Sequence, residues 1–281
     1  MSPPKPVILY AALPSGNSQK ARPSRAATPA RAEPCLRARL LRCEGPHALS
    51  RSCAQAILMC RLLGLPFELR APNGLIGADA ETKQSPFLKL NPLGQVPVLV
   101  DPNVAPEPAS AHGFTGEPAD AVHCAEGLVV RDSAAILTYL ALTYGNEAWL
   151  PRGADDAVRS ARIAQWVSYG GAEVNASLLK VRVSVLFGWD IAPHTLESAL
   201  AASRATLAYL DAQLAAGAAA GRTWLVAGDA PTIADVHVFP YVAYAEDSSK
   251  GALKLANYPA VQAWVAAFAK LPGYVPPPGL E

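Results

Sequence analysis

NPLGQVPVLV, residues 91–100, is a polar turn that runs into a short apolar strand. Asn91, Pro92 and Gly94 supply the turn chemistry, and Val96, Val98, Leu99 and Val100 suit a buried strand. Pro97 breaks the pattern. It has no N–H for a strand ladder, so it implies a bulge, an edge or a cis bond. With a cis Val96–Pro97 bond, the N–H and C=O of Val96 stay free to receive an extended peptide, and the stretch is a docking edge for a ligand. Without it, the stretch is a loop-to-strand entry that carries a proline.

Working outward, the flanks alternate strand and helix. VILYAA, residues 7–12, is an apolar β-prone run, closed by Leu13-Pro14 and a polar turn at Ser15, Gly16, Asn17 and Ser18. A helix is expected next, yet residues 21–55 are rich in Ala, Arg, Pro and Cys with little periodicity. The helix resumes at AILMCRLLGLPFEL, residues 56–69, ending at Gly64-Leu65-Pro66, with a strand over 67–70. Residues 21–55 thus read as an insertion. A polar helical turn over 83–90 leads into the opening stretch. Beyond Asp101, about 102–126 form a second odd segment loaded with Pro, Ala, Gly and acids, read as a long loop. A strand follows at 127–130, and Arg131, Asp132 and Ser133 open a helix with apolar spacing at Ile136, Leu137, Leu140 and Leu142. Asp132 or Ser133 caps that helix, whose first amides favour an anion.

From Trp149 the character changes. Helical patterns run over 155–188, 194–216, 232–245 and 258–270. Thr232 with Asp235 makes a capping box after Pro231, a structural signal whose loss costs about 1 kcal/mol at either residue. The expected architecture is α/β plus all-α. A first domain spans 1–148, interrupted near 21–55 and 102–126, and an all-helical one spans 149–281.

Composition narrows the function. The 281 residues are 51% hydrophobic and 17% charged, with a net charge of +1, which suits a folded globular protein and supplies no global argument for nucleic acid or an anionic membrane. Seven Arg against two Glu crowd residues 21–55, read as a solvated basic segment. No run reaches the roughly 18 apolar residues of a membrane span, and the start is too short in apolar core for a signal peptide. A cytoplasmic location is expected. Five cysteines show neither a CxxC pair nor zinc-type His spacing, so neither a metal site nor a disulfide framework is expected. His194 and His237 carry no partner pattern.

Taken together, VILYAALPSGNSQK, AILMCRLLGLPFEL, PFLKLNPLGQVPVLVD, GLVVRDSAAILTYLA and WLVAGDAPTIADV resemble, in order, the cytosolic glutathione S-transferases. The resemblance covers nearly everything outside 21–55 and 102–126. Joining Lys20 to Ala56 restores an uninterrupted first helix of that family, and both odd segments read as additions, unspliced intron sequence being one source.

The resemblance implies a thioredoxin-like N-terminal domain that binds glutathione and a helical C-terminal domain that completes the pocket. It implies that the Val96 backbone with cis Pro97 receives the cysteinyl part, and that Gln95 contacts the glycyl side. Asp132 and Ser133 then grip the γ-glutamyl end, a carboxylate pairing with the ammonium while a hydroxyl and helix amides take the carboxylate. The resemblance further implies that Ser15 is the serine-type catalytic residue, a hydroxyl donor that stabilises the glutathione thiolate. Asn17 and Ser18 are further donors in that turn. Lys83 is either a surface lysine or a contact to the glycyl carboxylate. Trp166, Tyr169, Asn175 and Phe187 lie where the electrophile pocket should form. The implied activity is conjugation of the thiolate to a small hydrophobic electrophile, in a detoxifying homodimer with glutathione as co-substrate and no other cofactor. The competing reading is a non-catalytic glutathione transferase-like module, since the insertion interrupts the helix that should orient Ser15.

Overall fold

A computed structural model of the chain describes residues 3–11, 50–72, 80–105, 127–153, 156–187 and 193–276. Among the described residues, four short strands form the sheet: β1 (Val7–Tyr10), β2 (Phe67–Arg70), β3 (Val98–Asp101) and β4 (Leu128–Arg131), in the order β2-β1-β3-β4. β1 and β2 are parallel, while β3 runs antiparallel to both β1 and β4.

The period-2 alternation of β1 explains how both faces of the sheet are covered. Val7 and Leu9 point into the large core shared with the helices. Ile8 and Tyr10 point the other way, onto Phe87 and Leu90. Those two belong to α2 (Ser85–Leu90), which follows a 3-10 turn at Glu81–Lys83.

β1 and β2 are joined through α1 (Arg51–Leu62), which is buried along most of its length. The helix stops as its glycine directs. Gly64 has φ 62°, its N–H bonds the Arg61 carbonyl, and the Leu65 N–H reaches back to the Cys60 carbonyl. Cys53 and Cys60 are buried thiols that form no disulfide with each other, and burial pushes the Cys60 thiol up to about 12. The start of α1 departs from expectation. The helix begins at Arg51, so the last five residues expected to belong to the insertion are helical.

After β4 comes α3 (Ser133–Thr143), and from there on the described chain is helical: α4 (Ala157–Tyr169), α5 (Asn175–Phe187), α6 (Pro193–Ala219), α7 (Ile233–Ala243), α8 (Ala245–Ser248) and α9 (Pro259–Phe268). The single helix expected over 155–188 is split by a π-helical turn at Gly170–Val174. Its cause is local. Gly170 packs against the His237 ring, and a Cβ there would collide with the imidazole Nδ1. α7 is buried from Ile233 to Val242, and its capping box forms as the sequence predicts. Thr232 Oγ1 accepts from Ala234 N at 3.2 Å, and Asp235 Oδ2 accepts from Thr232 N at 2.9 Å. The architecture is a thioredoxin-like N-terminal domain with a helical C-terminal domain.

Candidate functional site

Three chain segments meet at one end of the sheet. Val98 of β3 pairs with Arg131 of β4 and with Tyr10 of β1. Continuing the antiparallel β3–β4 register by one and two residues sets Pro97 across from Asp132 and Val96 across from Ser133. α1 must run back alongside the sheet to reach β2, so its N-terminus also stands near the Tyr10 end.

The Val96–Pro97 bond is cis. Among the described residues, no hydrogen bond reaches the Val96 N–H or C=O. Of the two sequence readings of this stretch, the geometry is that of an open edge. The turn before it is pinned from both sides. Asn91 Nδ2 donates to the Gln95 carbonyl at 2.7 Å, and Lys83 Nζ donates to the Leu93 and Gly94 carbonyls at 3.1 and 3.0 Å. Lys83 is therefore a turn-holding residue. Gly94, at φ 60°, is the one residue that fits, because a Cβ would meet the Thr82 carbonyl oxygen at 2.6 Å. The Gln95 side chain is exposed beside this turn.

Asp132 opens α3. Its Oδ1 accepts from Ala134 N at 2.9 Å and from Ala135 N at 3.3 Å, an N-cap. Its backbone sits at φ 69°, ψ 137°, a sparsely populated region for a residue with a Cβ that costs on the order of 1–3 kcal/mol. Such outliers collect at binding sites, where surrounding structure holds them. Asp132 is exposed, with Oδ2 unengaged among the described residues, and the neighbouring Ser133 is 8% exposed with no hydrogen bond to another described side chain. The register thus places a carboxylate-bearing residue, a hydroxyl-bearing one and a helix N-terminus beside the end of the β3 edge, a set of groups that complements an ammonium next to a carboxylate.

His237 of α7 approaches from the helical domain. It is 5% exposed, and its Nδ1 has no partner. Burial lowers its pKa to about 4, with the Asp132 charge acting in the opposite direction. Gln55 of α1 ties the two domains here by donating Nε2 to the His237 carbonyl.

Ser15, Asn17 and Ser18 lie outside the described residues. Sequence reasoning missed Ser50, which occupies the N-cap of α1 at φ −58°, ψ 132°, with no capping hydrogen bond from its side chain. A serine directly before an apolar helix is itself a start signal, and here it was hidden by reading the insertion through residue 55. Trp166 and Tyr169 pack with Tyr209, ring centroids 5.2–6.2 Å apart. They line two grooves of about 590 and 600 Å³ beside α6. Every residue lining these grooves belongs to the helical domain, so they stand apart from the Val96 edge. The Asn175 side-chain oxygen is buried without a partner, and the Phe187 side chain lies outside the described residues.

Comparison with known proteins bears on this geometry. The family model described as the glutathione S-transferase N-terminal domain matches residues 49–143, and that of the C-terminal domain matches 168–272. The chain belongs to the glutathione S-transferase family. The N-terminal match begins at α1, and β1 joins the domain only through the fold. Among solved structures, the chain is similar to a glutathione S-transferase from Xanthobacter autotrophicus Py2, at 28% identity and a TM-score of 0.62, over 82% of this chain and 93% of that one. It is similar in fold to a glutathione transferase homolog from Lodderomyces elongisporus, described with two GSH per subunit, at 22% identity and a TM-score of 0.62, covering 96% and 95%. Ure2p in complex with glutathione matches in fold at 17% identity and a TM-score of 0.65, covering 97% and 98%. No curated protein matches the chain. Among the described residues, no helix is long and apolar enough to cross a membrane.

Proposed function

We propose that the chain binds glutathione along the Val96–Pro97 edge and conjugates its thiolate to a small hydrophobic electrophile. The peptide's cysteinyl amide and carbonyl pair with the Val96 backbone, Gln95 takes the glycyl side, and Asp132 with Ser133 holds the γ-glutamyl ammonium and carboxylate. The observation that carries this reading is the strained, exposed Asp132 cap standing across from the cis Pro97. The glutathione described in the complexes of similar fold agrees with it.

Bond making is simple in outline. The thiol loses its proton to solvent, the thiolate attacks the electrophilic carbon, and the electron pair leaves with the displaced group or passes to a proton from water. The protein's part is to hold the thiolate and favour its formation, by a hydroxyl donor at the N-terminus of α1. Ser15 is one candidate donor. Ser50 is the other, because it occupies the helix start itself. The reaction takes place in the cytoplasm, in a homodimer, with glutathione as co-substrate and no metal or further cofactor, and serves detoxification.

Retention on immobilised glutathione followed by turnover of a generic aromatic electrophile tests the proposal. The enzyme reading expects both, with kcat lowered about 10²-fold or more in either Ser15→Ala or Ser50→Ala and the other variant near wild type. Retention without turnover in the wild type favours the binding-module reading, for which the inserted sequence between Ser15 and α1 is the motive. Absence of retention contradicts both.

A further inference from the structure

The groove between α4 and α6 carries more positive charge than negative. Arg159 and Arg162 of α4 and Arg222, just past α6, line it together with one carboxylate, that of Asp156, among the described residues. Neutral groups hold the three heads. Arg159 Nη1 and Nη2 donate to the Glu147 and Ala148 carbonyls, both at 3.0 Å. Arg222 Nη1 and Nη2 donate to the Leu225 and Gln213 carbonyls at 2.7 and 3.2 Å, and Arg162 Nη1 donates to Gln165 Oε1 at 3.0 Å. A Cβ at Gly217 would meet Arg222 Nε and Nη2 at 2.6 Å, so that glycine makes room for the guanidinium. Among the described residues, no carboxylate comes within ion-pair distance of any of the three.

The same groove has apolar flanks in water. Val158 is 76% exposed and Tyr209 44%. Single exposed apolar residues are ordinary, but beside fixed guanidiniums they give the mixture of Arg and aromatic groups that protein interfaces favour. Tyr209 also lines the second groove, between α5 and α6, so the two spaces of about 600 and 590 Å³ adjoin at its ring. Together they exceed the roughly 300–1,000 Å³ of a small-molecule pocket. From Val158 to Lys180 the chain is helical throughout, which makes the trough about 30 Å long at 1.5 Å per residue. An extended peptide of about nine residues spans that length. Charge is concentrated at one end, because Lys180 in the second groove is matched by Glu173. That pattern does not suit a nucleic acid, whose charge repeats evenly along its length.

We propose that this trough along α4, α5 and α6 docks an acidic segment of a partner protein, with carboxylates on Arg159, Arg162 and Arg222 and an apolar side chain against Val158 and Tyr209. Arg162 Nε and Nη2 make no hydrogen bond among the described residues, and that fork matches one carboxylate. Arg159 and Arg222 are already held in place by their carbonyls, so little side-chain entropy is lost when the segment binds. The trough lies wholly within the helical domain, apart from the Val96 edge, and the docking is independent of the glutathione site.

The test is fluorescence anisotropy of the full chain with a fluorescein-labelled nonapeptide of Glu with a central Phe, and with the same peptide carrying Lys for Glu. The wild type should bind the acidic peptide saturably, more weakly as salt rises, and should not bind the basic one. Arg162→Glu changes an exposed side chain and should lower the affinity about tenfold or more by like-charge repulsion, with retention on immobilised glutathione unchanged. Tyr209→Ser should weaken binding with every charge intact. No binding of the acidic peptide, or equal affinity in wild type and Arg162→Glu, overturns the proposal. So does tighter binding of a single-stranded oligonucleotide of equal charge. A sedimentation coefficient that falls in Arg162→Glu would give the trough to a second copy of the chain and overturn it as well.

Discussion

Helices α3 and α7 each begin with a carboxylate folded back on the backbone, and the two stand in opposite surroundings. Asp235 is wholly buried and fully engaged: Oδ1 accepts from Leu225 N and Trp264 Nε1, both at 3.0 Å, and Oδ2 accepts from Thr232 N and Oγ1. Burial pushes its pKa up, and those four hydrogen bonds hold it down. Asp132 is exposed, uses one oxygen, and sits on a backbone that L-residues rarely adopt. The first arrangement leaves nothing for a ligand. The second spends stability to hold a carboxylate oxygen open, which is why the proposed binding role falls to Asp132 and an architectural one to Asp235.

The sharpest break of this contrast is Asp235→Ala. It strands the Leu225 amide and the Trp264 indole in the core, and the loss should reach about 3–5 kcal/mol, well beyond the roughly 1 kcal/mol of an ordinary cap. Urea unfolding checks it. A loss near 1 kcal/mol would reduce Asp235 to a cap like any other.

Next in size is the pH response of His237, which sits on α7 and feels the charge of Asp132. Its folded pKa, about 4, lies below the ordinary 6.5, so the folded state favours neutral imidazole. The associated stability is complete above pH 6.5 and is lost as pH falls toward 4, by roughly 3 kcal/mol in all. His237→Leu should remove that part of the acid slope. An unchanged slope in the variant would place His237 in a wetter setting than its burial describes. Smallest is Thr232→Ala, where the Ala234 amide loses its acceptor, for about 1 kcal/mol.

Much of this was legible in the sequence, for physical reasons that differ by element. β3 and its proline were readable because apolar alternation and a missing N–H are local properties. The Thr232–Asp235 box was readable because capping acts within one turn of helix. The engagement of Asp235 by Leu225 and Trp264 was not, since those donors come from 10 residues before and 29 after. The π-helical turn at Gly170 was hidden for the same reason, as its cause is the His237 ring on another helix. At α1, a poorly periodic polar turn made Arg51–Gln55 look like insertion, although tertiary contacts to Ser248, Tyr241 and the His237 carbonyl shape it into helix. Asp132 and Ser133 were named from the resemblance, while the positive φ that marks Asp132 is visible only in the fold.

The most direct test of the contrast is a calorimetric titration of glutathione into wild type and Asp132→Asn. Asparagine caps a helix as well as aspartate and tolerates positive φ, so the substitution removes the charge and leaves the fold. The account predicts unchanged unfolding and an affinity lowered about tenfold, or 1.4 kcal/mol. Equal affinity in the two proteins would contradict it.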